Sequence, residues 1–149
     1  MADVSPDQLQ LEIVTPDRLM LRERVLAVSL PGRSGYFGVL PGHAPLLSEL
    51  KPGQLSYTQG TTTHYLFVDW GFAEVLPDRV VVLAETSERP EEIDLERARR
   101  ARERAEARLR KAGAGEAEID ALRAQAALER AMARLEVAEG AGVEAGAKP

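Results

Sequence analysis

A chain of 149 residues that is 44% hydrophobic but only 5% aromatic can bury one aliphatic core, in a single domain or in a smaller domain with an appendage. The absence of cysteine excludes disulfides and thiolate metal sites. A net charge of −5, with 6 basic and 10 acidic groups in residues 1–87 and 13 and 14 in residues 88–149, excludes general nucleic-acid binding.

In chain order, MADVSPDQLQLEIV lacks the basic and apolar regions of a signal peptide. Gln8–Thr15 sets Leu9, Leu11 and Ile13 on one face, the alternation of a half-buried strand. Further strand signals follow at Val25–Leu30, Leu46–Leu50, Gln54–Gln59, Thr63–Trp70, Phe72–Leu76 and Arg79–Glu85. Turn signals separate them: PGRSG, LPGH, KPG and LPDR. Many short strands at close spacing predict an antiparallel β-sandwich or barrel over residues 1–87.

The stretch GYFGVLPGHAP, Gly35 to Pro45, is rich in glycine and proline and holds one of the two histidines. A phosphate loop needs glycines that lead directly into a helix, and Pro41 and Pro45 interrupt any helix here. The stretch is expected to form a stiff corner. His43, His64 and Asp69 share no motif that would make them a hydrolase or metal centre.

Composition changes after SERPEEID, and alanine, arginine and glutamate take over. Leu95, Ala98, Ala101, Ala105, Leu109 and Ala112 form one helical stripe. The glycines of Ala112–Gly115 stop that helix, and Ala121, Ala124, Leu128, Ala131, Leu135 and Ala138 form a second stripe. Two helices so joined pack antiparallel through alanine seams. Residues 88–139 therefore read as a helical hairpin, and residues 140–149 as a flexible tail. Alanine seams bury little area, so a loosely held hairpin is expected. Asp94 to Lys111 is locally cationic, and Arg99, Arg100, Arg102, Arg108 and Arg110 are placed to meet acidic surfaces. The plainer reading is a solvated face, with Glu103 and Glu106 in weak local pairs.

The ordered set GYFGVLPGHAPLL, DWGFAEV, VVVLAET and a helix-opening I-D-x-x-R-A resembles the ε subunit of F-type ATP synthases, over about residues 8 to 139. The resemblance implies a ten-stranded sandwich followed by a helical hairpin. It implies a non-catalytic central-stalk (rotor) subunit that couples c-ring rotation to ATP synthesis. Its partners would be the γ subunit, the c-ring and, when the hairpin extends to restrain ATP hydrolysis, the α and β subunits of the catalytic head. Its place would be the cytoplasmic face of a bacterial inner membrane, reached only through the complex. No cofactor is required.

Some members of that family bind ATP as a regulatory ligand through an I/L-D-x-x-R-A motif and an upstream glutamate. The matching positions here are Glu88, Ile93, Asp94, Arg97, Ala98, Arg104, Arg130 and Arg134. Arg97 and Arg104 are seven apart and Arg130 and Arg134 four apart, so each pair shares a helix face. The alternative function is accordingly an ATP sensor. The same motif also reads as a helix start, with Asp94 as N-cap and Ile93 stapled onto Ala98. It recurs as Ile119–Ala124 at the start of the second helix, so both readings stay open.

Overall fold

The computed structural model describes residues 6–113 and 118–147, with the side chains of 118–120 and 141–147 outside the description. Eight strands precede two helices: β1 (Leu9–Val14), β2 (Leu19–Val25), β3 (Ala27–Gly32), β4 (Gly35–Val39), β5 (Leu46–Leu50), β6 (Gly53–Gln59), β7 (Thr62–Leu76), β8 (Arg79–Glu88), α1 (Leu95–Gly113) and α2 (Glu118–Ala147). The strand order is β2-β1-β8-β7-β5-β3-β4, with β6 paired to β3 and β7. All ladders are antiparallel except β1 with β8. The fold is the expected antiparallel β-sandwich followed by an α-helical hairpin.

Eight strands stand where ten were expected, because β7 and β8 run without interruption from one layer into the other. β7 pairs with β6 over Thr62–Val68 and with β5 over Gly71–Val75. Its core-facing side changes on the way. Leu66 and Val68 point into the core in the first half, whereas Ala73 and Val75 do so in the second. Those sets have opposite parity, and since alternate residues occupy opposite faces, the ribbon turns its other face inward as it changes layer. β8 does the same, with Val80, Val82 and Ala84 and then Ser87 buried. Gly71 lies at the changeover, where a Cβ would strike the carbonyl oxygen of Leu83.

Both layers enclose one aliphatic core. Leu9, Leu11, Ile13, Leu30 and Leu55 have no exposed surface, as the sequence alternation predicts for β1. Two strands escaped the sequence reading. In β2 the register slips between Ile13 and Val14, so adjacent Met20 and Leu21 are both buried and no clean alternation survives. β4 is an edge strand paired only with β3, and its glycines and exposed side chains conceal it.

The corner expected at Leu40–His43 is a tight turn: the His43 amide donates to the Leu40 carbonyl at 3.2 Å, and Gly42 sits at φ 89°. Proline then glycine at its centre is the type II arrangement. The Gly42 amide also donates to the Pro77 carbonyl at 2.7 Å, tying this corner to the β7–β8 turn.

α1 ends at Gly113, and the remainder of the expected stop lies outside the described residues. Every member of both alanine stripes is buried or half-buried. The backbone of α2 is helical to Ala147, over most of the stretch expected as a flexible tail. Alanine and glutamate favour that continuation, while Gly140, Gly142 and Gly146 each cost about 1 kcal/mol.

Candidate functional site

α2 has a second face that the stripe reading passed over. Arg130, Ala133, Arg134 and Val137 follow the i, i+3, i+4, i+7 spacing of one helix side, and they meet the layer formed by β6 and the first half of β7. Opposite them β7 presents its alternate residues Tyr65, Phe67 and Asp69. Phe67 is fully buried with Ala133 and Val137, and Tyr65 and Ile93 pack against this small cluster.

Arg134 is the centre of the contact. Its Nε donates to Glu88 Oε1 at 2.9 Å and its terminal nitrogen to Glu88 Oε2 at 3.3 Å. Its guanidinium carbon stands 4.4 Å from the Phe67 ring centroid. Phe67 and Glu88 are register partners across β7 and β8, so their side chains emerge side by side and one guanidinium reaches both. The pair is largely shielded, with 30% and 26% of the two side chains exposed.

Asp69 lies two residues further along the same face. Burial pushes its carboxyl above the ordinary range, opposed by the charges of Arg130 and Arg134 and by the Trp70 amide. Its Oδ1 is buried without a hydrogen-bond partner. The contact thus sets Asp69 and Glu88 against two arginines of α2.

The link into the hairpin is also fastened. Arg89 donates to the Met20 carbonyl at 2.9 Å, and its amide donates to Glu92 at 2.8 Å. Arg18 pairs with Glu92 at 2.9 Å. That amide and that guanidinium hold the Glu92 carboxyl below its usual range. Asp94 caps α1: its Oδ1 accepts from the Arg97 amide at 3.1 Å and its carbonyl from the Ala98 amide at 3.0 Å.

Of the eight residues singled out for a nucleotide, Glu88 and Arg134 are joined directly, Ile93 packs into the Phe67 cluster, and Asp94 serves as the cap. Ala98 is buried in the seam. Arg97 and Arg104 are exposed, and their guanidiniums make no ion pair among the described residues. Arg130 acts on Asp69. Sequence reasoning missed Phe67 and weighed Asp69 only as a hydrolase or metal residue, although the alternation Tyr65, Phe67, Asp69 facing a 130/133/134/137 stripe was available to it. The cationic face also differs in detail: Arg99 pairs with Glu96 at 2.6 Å and Glu139 at 3.6 Å, in place of pairs at Glu103 and Glu106.

His43 Nδ1 lies 2.7 Å from the Ala44 carbonyl, and His64 stacks on Tyr57 with centroids 4.9 Å apart. No cluster of metal-ligating side chains occurs among the described residues.

A profile described as "ATP synthase, Delta/Epsilon chain, beta-sandwich domain" matches residues 8–90, and one described as "ATP synthase, Delta/Epsilon chain, long alpha-helix domain" matches residues 91–139. The "ATP synthase epsilon chain" of Koribacter versatilis is 54% identical over 107 residues, covering 72% of this chain and 75% of that one. That of Nitratidesulfovibrio vulgaris strain DP4 is 56% identical over 101 residues, covering 68% and 75%. The chain belongs to the epsilon subunits of bacterial F-type ATP synthases.

A chain in the cryo-EM structure of the Euglena gracilis mitochondrial ATP synthase, OSCP/F1/c-ring in rotational state 1, superposes with a TM-score of 0.75 at 27% identity, over 93% of this epsilon subunit and 82% of that chain. An epsilon subunit is a non-catalytic stalk component of the synthase. Among the described residues of this one, no helix is long and apolar enough to cross a membrane.

The other outer face of this epsilon subunit is open. Past the changeover, β7 exposes Trp70 and Phe72, β8 exposes Leu83, and β5 exposes Leu47, which is 71% accessible. Phe72 and Leu83 are register partners. Trp70, Phe72 and Leu83 line a shallow groove of about 350 Å³ with Val14 and Pro16. The alternation along β7 places this face on the side of the sandwich away from α2.

Proposed function

We propose that this epsilon subunit works in the central stalk as part of the rotor, with its sandwich docked on the γ subunit and the c-ring and its hairpin restraining ATP hydrolysis. In this reading it sits at the cytoplasmic face of the inner membrane and reaches the membrane only through the complex. The observation that carries the reading is the open apolar face of Trp70, Phe72, Leu83 and Leu47. Contiguous apolar surface of this kind marks a protein interface, and the γ subunit is the partner we assign to it. The opposite face carries the hairpin through a small contact, so engagement with γ leaves the hairpin free to move toward the α and β subunits.

The test is reconstitution. Phe72→Glu and Leu83→Glu should abolish co-purification with γ while the isolated subunit keeps its fold by circular dichroism; retention on γ would sink the assignment. Ending the chain after Glu88 should preserve coupling and raise ATP hydrolysis by the complex. Hydrolysis identical with and without the hairpin would remove the restraining role.

A second reading, ATP as a regulatory ligand at the hairpin, is favoured by the exposed guanidiniums of Arg97 and Arg104, which are unpaired among the described residues, since arginine forks match phosphate oxygens well. ATP should then raise the melting temperature of the isolated subunit, and Arg97→Ala should reduce the effect. A melting temperature indifferent to millimolar ATP would discard it.

A further inference from the structure

We propose that Arg134 is the latch of the hairpin, closed by this chain's own Glu88 and Phe67 without any nucleotide. The proposal deepens the moving-hairpin reading above, on which it rests. It makes Arg134 a positioning residue for the docked state, committed to a carboxylate before any phosphate arrives.

Three observations carry it. First, the guanidinium has a bidentate partner in Glu88 and an aromatic plane in Phe67 at once. Bidentate carboxylate pairing and ring stacking are what arginine supplies and lysine does not. Second, the apolar part of the contact among the described residues is small. There Phe67, Ala133 and Val137 form its buried cluster, with Tyr65 and Ile93 at the margin, and two of the three buried members have side chains of only one or three carbons. The latch therefore contributes a large share of what holds α2 to the sheet. Third, Glu88 ends β8 and Arg134 lies 46 positions along the chain. The bond thus closes the entire hairpin onto the strand from which it springs.

A consequence follows for anions. Glu88 occupies one edge of the Arg134 guanidinium, Nε and one terminal nitrogen, so a triphosphate that takes this edge must displace the carboxylate. At that edge Glu88 competes with the nucleotide for Arg134.

The absence of cysteine lets spin labels be placed at will. In the full-length chain with Thr61→Cys and Gln125→Cys, both exposed positions, distances are measured by pulsed electron resonance without nucleotide. The parent should give one narrow distance. Arg134→Ala and Glu88→Gln should each lose it to a broad, longer distribution, and the double variant should be no broader than either. Arg134→Lys should recover it only in part. A narrow distance unchanged in Arg134→Ala, or full recovery by lysine, overturns the latch. Glu88→Gln keeps the side-chain size and stands in should Arg134→Ala fail to fold. In an ATP titration by calorimetry, Glu88→Gln should bind more tightly than the parent, whereas weaker binding would make Glu88 a ligand and overturn the competition. If neither binds ATP, the nucleotide reading falls, and the distance measurement still decides the latch.

Discussion

The sandwich and the hairpin are built from the same apolar principle at two different scales. In the sandwich, Leu9, Leu11, Ile13, Leu30, Leu50, Leu55 and Leu66 are 2% exposed or less, each contributing about 1.5–3 kcal/mol. Among the described residues of the hairpin the buried seam is Ala98, Ala105, Ala124 and Ala131, with Leu135 its one large buried member, and a methyl group contributes only about 0.8 kcal/mol. The helices touch one another along their length, yet little area leaves water per residue. Cohesion is thus concentrated in the body, while the appendage is held by many small contacts and a few ion pairs, of which Arg134–Glu88 joins α2 to the sheet. A stalk component that must stay rigid in one part and reposition another needs this inequality.

The comparison is broken most severely at Gly71. Gly71→Ala forces a side chain onto the Leu83 carbonyl at the crossing of β7 and β8, and should destabilise the sandwich by about 3 kcal/mol or more, read from the midpoint of urea unfolding. A midpoint near that of the parent would mean the two strands can part locally. Next comes Leu55→Ala, which should cost about 2–5 kcal/mol in the cooperative transition of the sheet. Ala131→Gly in the seam should cost about 1 kcal/mol, seen as lost helical ellipticity with the sheet transition in place. Equal penalties for these two would erase the distinction between body and appendage.

The smallest effect sharpens the contact itself. Burial raises the Asp69 pKa above its ordinary 3.8, so between that value and the raised one the docked fold binds more of the proton than the unfolded chain does. Stability should therefore decline as pH rises from about 3.8 through the raised Asp69 pKa. Glu92 runs the other way: its lowered pKa contributes stability above its ordinary 4.5, lost as pH falls through the folded value. Asp69→Asn should remove the first dependence and leave the second, in melting temperatures taken across the acid range. An unaltered pH profile would show that Asp69 stays ionised in the docked state.

The division into strands and helices was legible because alternation and the alanine stripes are local signals. Leu9, Leu11 and Ile13 declared β1 on their own. β7 read as two strands because its inward parity reverses between Val68 and Ala73, a reversal that comes from passing between layers and has no local cause. β2 was hidden by a register slip, for the same reason. At the candidate site, Glu88, Ile93 and Asp94 were named for a ligand, and their visible work is an ion pair, a packing contact and a helix cap. Phe67 could be weighed only once strand and helix were brought face to face, since 67 positions separate it from its partner at Arg134.

The β7–β8 ribbon carries a mechanical implication. Phe67, beneath the hairpin, and Phe72, on the bare apolar side, are five residues apart on one strand, roughly 17 Å of extended backbone. The two faces of this subunit are therefore opposite ends of a single covalent splint, clamped at Gly71, with no joint between them. A pull applied at one end would be felt at the other as strand tension, without any rearrangement of the leucine-filled interior.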